Sequence, residues 1–80
     1  MNKKKRKQNE QTFTQWEDIP SGGRKYFYEV AGRLGWKAHY VKVVDSEENT
    51  MEFFQEIYNS SGVLVELHKK FPKDEGHQKV

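Results

Sequence analysis

Asp45-Ser46-Glu47-Glu48-Asn49-Thr50-Met51-Glu52-Phe53-Phe54-Gln55-Glu56-Ile57-Tyr58-Asn59 can be read at two periods, and the choice between them decides the fold. As a helix it has start signals in Asp45 or Ser46 followed by Glu48 and Asn49. Met51, Phe53, Phe54, Ile57 and Tyr58 then fall on about half the helical circumference. As a strand, Met51, Phe53 and Ile57 share one face while Phe54 and Tyr58 share the other. Register arithmetic favours the strand. Asn59-Ser60-Ser61-Gly62-Val63 fits a three-residue hairpin loop closed by Gly62 in the left-handed conformation. That loop opposes Tyr58 to Leu64, Ile57 to Val65, Glu52 to Lys70 and Met51 to Phe71. A turn over Asp45 to Asn49 opposes Val43 to Met51, Lys42 to Glu52, Val41 to Phe53 and Tyr40 to Phe54. Glu52 is then expected between Lys42 and Lys70, with Glu56 against Glu66 as the one like-charge pair.

Outward from this segment, three stretches carry strand patterns: 24–30, 36–44 and 63–71. Ala31-Gly32-Arg33-Leu34-Gly35 reads as a loop, and opposing Val30 to Trp36 faces Tyr26 with Tyr40, Tyr28 with Ala38 and Glu29 with Lys37. The expected fold class is all-β, a four-stranded antiparallel meander forming a twisted sheet or partial barrel. The alternative is α+β with a helix at 46–59. Both faces of such a sheet are apolar, so it must curl or be covered by the Phe13–Ile19 segment. Residues 1–12 are charged or amide-rich and are expected to be a disordered basic arm. Residues 13–23 read as a cover segment with a hinge at Ser21-Gly22-Gly23, residues 24–72 as the β domain, and 73–80 as a flexible tail.

With 80 residues and no cysteine, the chain has room for one domain and neither a disulfide framework nor a thiolate metal site. Five Phe, four Tyr and two Trp supply the core mass instead. No apolar run reaches the roughly 18 residues of a membrane span, and no apolar segment follows the basic N-terminus, so a cytoplasmic protein is expected. The net charge of +2 conceals a division. Lys3, Lys4, Lys5, Arg6 and Lys7 account for five cations, leaving nine Lys and Arg against twelve Asp and Glu. Five basic residues and Glu29 alone lie between Gly23 and Val44, whereas Asp45 to Glu66 holds six acidic residues and no cation.

Tyr58-Asn59-Ser60-Ser61-Gly62-Val63-Leu64-Val65-Glu66 resembles the hairpin unit of YD-type, RHS-like repeats: Tyr, Asp or Asn, two loop residues, Gly, any residue, Leu. The chain from Tyr26 to Val80 resembles small prokaryotic domains of unknown function that end in Glu-x-His-x-Lys-x-Pro-x-Asp-x-Gly-His. Here those positions are Glu66, His68, Lys70, Pro72, Asp74, Gly76 and His77. The resemblance implies a self-contained domain and carries no activity with it.

Three chemistries compete. Tyr26, Tyr28, Trp36 and Tyr40 flanked by Arg24, Lys42 and Lys70 supply ring faces and cations, the composition of a single-stranded nucleic-acid platform. The same aromatics equally make a core. The basic arm, Lys3 to Lys7, suits salt-sensitive phosphate contacts, or simply solubility. His39, His68 and His77 are expected on different faces and in the tail, so no catalytic residue, metal site or cofactor is expected. The expected function is a non-enzymatic protein-interaction module. A single-stranded nucleic-acid binder and a small nuclease-like toxin-system component are the alternatives.

Overall fold

The computed structural model describes residues 1–80. One helix, α1 (Lys3–Thr12), precedes six strands: β1 (Gln15–Asp18), β2 (Arg24–Ala31), β3 (Lys37–Val44), β4 (Thr50–Tyr58), β5 (Leu64–Phe71) and β6 (His77–Lys79). The strands pair in sequence order as one antiparallel sheet. The deciding segment is therefore a strand, and the only helix lies at the N-terminus instead of at 46–59. Four strands is an undercount, because β1 and β6 add the two edges, and the sheet stays open instead of closing into a barrel.

Three hairpins share one five-residue turn. In Ile19–Gly23, Asp45–Asn49 and Asn59–Val63 the first amide donates to the fifth carbonyl, and the fourth amide donates back to the first carbonyl. The fourth residue is left-handed in each: Gly22 at φ 91°, Glu48 at φ 65° and Gly62 at φ 79°. The side-chain oxygens of Asp45 and Asn59 accept from amides inside their turns, which explains why Asx residues start them. The Asn59–Val63 turn has the conformation read from sequence. Ser21-Gly22-Gly23 is part of a tight turn and not a hinge, since a Cβ on Gly23 would lie 2.1 Å from the Val44 carbonyl oxygen.

Bulges shift the registers. Between β3 and β4 the pairs are Val44 with Thr50 and Val43 with Glu52, so Met51 has no direct partner. The slip by one residue reverses the faces of β4 relative to those expected. Glu52 is therefore not threaded between two lysines: it lies opposite Val43, and Lys42 opposes Phe53. Between β4 and β5, Tyr58 meets Leu64 as expected, then a bulge puts Ile57 against Glu66 and Glu56 against Leu67. The expected Glu56–Glu66 repulsion is thereby removed. Between β2 and β3 the register moves by two residues, which preserves each face but pairs Tyr28 with Tyr40 and Glu29 with His39.

The resulting front face has three cross-strand rows. Tyr26, Lys42 and Phe53 form the first; Tyr28, Tyr40, Gln55, His68 and His77 the second; Val30, Ala38, Ile57, Glu66 and Lys79 the third. Phe13 plugs the first row, its ring 5.7 Å from Tyr26, 5.4 Å from Tyr28 and 6.4 Å from Phe53. Phe13, Tyr26 and Val44 form the small buried core.

Residues 3–12 are helical where a disordered arm was expected. Hydrophobic periodicity gave no sign of it, because α1 contains no apolar residue, and lysines in its first turn oppose the helix dipole. It is held by polar contacts instead. Asn2 caps it by accepting from the Lys5 amide at 3.0 Å. The tail also folds back, as β6, against β5.

Candidate docking surface

Glu48 is the polar centre of the covered end. Its side chain is fully buried, and its carboxylate accepts from Arg6 Nε at 2.9 Å, Asn9 Nδ2 at 3.1 Å and the Tyr26 hydroxyl at 2.8 Å. Burial pushes this carboxyl up, but the bonds from Arg6, Tyr26 and Asn9 outweigh it and hold it below the usual glutamate range. The same burial, with Glu48 as hydrogen-bond partner, raises Tyr26. Lys42 donates to Asn9 Oδ1 at 2.8 Å, and burial lowers its ammonium despite the nearby carboxylate. Glu48 thus ties α1 to the sheet. The sequence signal for it was its position: it stands where the two sister turns place Gly22 and Gly62.

This clasp consumes much of the platform read from sequence. Tyr26 is completely buried. Arg24 is buried between the rings of Trp16 and Tyr26, at 5.4 and 5.6 Å, and binds Asp18 at 2.9 Å and Glu10 at 2.8 Å. Burial disfavours its charge, and the two carboxylates more than restore it. Lys42 is spent on Asn9. Of the arm, Arg6 serves Glu48 and Lys5 reaches Asn49 at 3.3 Å, leaving Lys3, Lys4 and Lys7 on the exposed side of α1. Tyr28 and Tyr40 stack against each other at 4.9 Å and 13°, with the Lys70 ammonium 5.1 Å from the Tyr40 ring. Trp36 stands apart at the far end of the sheet, beyond the row that Tyr28 and Tyr40 occupy.

The histidines do converge in part, contrary to expectation. His68 and His77 are paired across β5 and β6 with their rings 4.4 Å apart. His68 Nε2 lies 2.6 Å from Asp74 Oδ1, and His77 Nδ1 lies 3.4 Å from Glu66. The hydrogen bond to His68, with a second from the Gly76 amide, holds the Asp74 carboxyl below its usual range. His68 is spent on this tether: Nε2 faces Asp74, and Nδ1 is buried without a partner. Neither cavity of the molecule adjoins the pair. Its geometry fastens the tail to the sheet. His39 lies on the back face, 3.5 Å from Glu29 and 5.1 Å from the Tyr58 ring.

The uncovered end of the front face has a different character. The β2–β3 connection is a single 3-10 turn, Arg33–Gly35, in which Leu34 adopts φ 56°. Left-handed backbone costs a branched, non-glycine residue on the order of 1–2 kcal/mol. Leu34 does not recover that cost by burial, since it is 89% exposed. It forms the lip of a pocket of about 340 Å³ lined by Trp36, Ala38 and Ile57, with Gly32, Arg33 and Lys37 completing the rim. Val30 and Trp36, also exposed at 44% and 39%, extend this apolar pole. Arg33 has no ion-pair partner, and Lys37 reaches only the exposed Glu29 at 3.4 Å. Of the residues singled out from sequence only Trp36 belongs here; Leu34 lies in the connecting loop, where no strand pattern marks it.

Comparison with protein-family models, with curated proteins and with solved structures yields no match to the chain.

Proposed function

We propose that this protein is a protein-interaction module that captures an apolar side chain of its partner at the bare pole of the sheet. The observation that carries this reading is Leu34, a strained residue that presents an isobutyl group to water beside an apolar pocket. Strained residues cluster at binding and switch sites, so an exposed outlier of this kind motivates a functional reading. The pocket volume lies in the range of ligand and side-chain sites.

The nucleic-acid alternative has less support, because Arg24, Tyr26 and Lys42 are committed to internal contacts. What disfavours His68 as a general base is that Nδ1, the nitrogen not engaged by Asp74, is buried, and that His68 lines neither cavity. The test is selection of a random-dodecamer display library on the immobilised full chain, followed by binding of each selected peptide to wild type and Trp36→Ala. Binding is expected to weaken by about tenfold or more with the indole gone. Peptides that bind both proteins equally well refute the pole as the docking surface.

A further inference from the structure

The outer edge of the sheet stops short beside the pole. β1 pairs with β2 only from Arg24 to Phe27, and the chain before Gln15 turns away onto the front face, where Phe13 is buried. Tyr28 to Ala31 therefore form an edge with no strand next to them. The ladder settles which backbone groups point outward. The Gly32 amide donates to the Trp36 carbonyl at 2.7 Å, in the same register as the rest of β2–β3, so even-numbered residues of β2 bond to β3. The Ile19 amide donates to the Gly23 carbonyl at 3.1 Å, in the β1–β2 register, so odd-numbered residues bond outward. By the alternation of an antiparallel ladder, the N–H and C=O groups of Glu29 and Ala31 face the open edge. Neither amide donates a hydrogen bond outside the regular ladder.

This edge ends at the rim of the Leu34–Trp36 pocket. Its sequence, Glu29-Val30-Ala31, has no proline or bulge, and Glu29 is the one charge on it. The cation facing the pole without an acidic partner is Arg33, and Lys37 is the second cation on the rim.

We propose that the partner is a protein segment in extended conformation that adds a strand to β2 at Glu29 and Ala31. One large apolar side chain of that segment enters the pocket formed by Leu34, Trp36, Ala38 and Ile57, and a neighbouring Asp or Glu meets Arg33. This mode takes affinity from main-chain hydrogen bonds and specificity from one anchored side chain and one charge. A second copy of this chain is a poorer occupant, because its own open edge carries Glu29 and its one aromatic residue, Tyr28, is already stacked on Tyr40.

The inference rests on the pole being a docking surface, and the test separates the two. Peptides taken from the display selection are titrated into the isotope-labelled full chain, with amide exchange followed residue by residue. The expected result is enrichment for an aromatic or large aliphatic residue beside Asp or Glu, and protection of the Glu29 and Ala31 amides on binding. Arg33→Glu is expected to weaken these peptides about tenfold, and replacing their acidic residue by Lys is expected to restore much of the loss. Peptides that shift the Trp36 indole but leave Glu29 and Ala31 unprotected, or ignore Arg33→Glu, overturn the strand-addition inference and leave the pole intact. Peptides that leave the Trp36 indole unmoved overturn both. A Trp36 shift that tracks protein concentration without peptide identifies a second copy as the occupant and overturns the inference.

Discussion

Replacing Glu48 by Gln keeps the size and backbone of the side chain while removing its charge. Three donors now converge on the carboxylate: Arg6 Nε, Asn9 Nδ2 and the Tyr26 hydroxyl. Hydrogen bonds to a charged acceptor contribute about 1.5–3 kcal/mol each when neither side is readily resolvated. With its oxygen in the Oε2 place, a glutamine keeps two donors, Asn9 Nδ2 and the Tyr26 hydroxyl, while its amide nitrogen meets Arg6 Nε head-on. Arg6 is a quarter exposed and regains water cheaply, so its share is small. The two retained bonds weaken from charged to neutral acceptors, by about 1 kcal/mol each, which sets the cost at about 2 kcal/mol in total. For a domain of this size that lowers Tm by about 8–16 °C. Thermal unfolding followed by far-ultraviolet circular dichroism and tryptophan fluorescence reads it. A Tm within about 3 °C of wild type refutes the view that Glu48 fastens α1. Two companions sharpen the result. Glu48→Ala and Glu48→Gly lose the same bonds, but glycine relieves the left-handed strain at φ 65° and should be the more stable by about 1 kcal/mol.

Further expectations follow from the same geometry. Because the folded state holds the Glu48 carboxyl below its usual value, its contribution is complete above about pH 4.3 and is lost as the pH falls through the depressed value; Glu48→Gln should flatten that acid limb of a Tm-against-pH curve. Asp74→Ala removes the acceptor for His68 and the Gly76 amide, so amide exchange at Gln78 and Val80 should accelerate while exchange in β3 and β4 stays unchanged. Leu34→Gly should stabilise the fold by about 0.5–1 kcal/mol in urea denaturation, because strain is relieved and little burial is lost; destabilisation would show that the leucine serves the fold.

Much of the sheet was legible because its signals are local. The strand patterns of β2, β3 and β5 and the Asn59–Val63 turn depend on neighbouring residues, and the helix–strand ambiguity at 50–58 yielded to the pairing of its flanks. The registers were not legible, since each bulge costs little and its position depends on which side chains find room across the ladder. An unbroken ladder pairs Met51 with Val43; the bulge leaves Met51 aside, and that one residue moves Glu52 off the lysines. The covering helix was invisible for a different reason. Its attachment is a set of polar bonds between Arg6, Asn9 and a turn about forty residues away, and periodicity measures only apolar faces. The candidate surface was half visible. Trp36 was chosen for its ring, but Leu34 and the free edge at Glu29 and Ala31 are properties of backbone conformation and strand length.

The docking claim itself meets its most direct test in one affinity. The dissociation constant of a selected peptide is measured against Leu34→Gly and against wild type under the same conditions. If the exposed leucine closes over the partner's anchor, removing it deprives the complex of one buried aliphatic side chain, and affinity falls by about tenfold or more. Equal affinity for the two proteins would mean that the strained lip takes no part in binding, and the pole would cease to be the site.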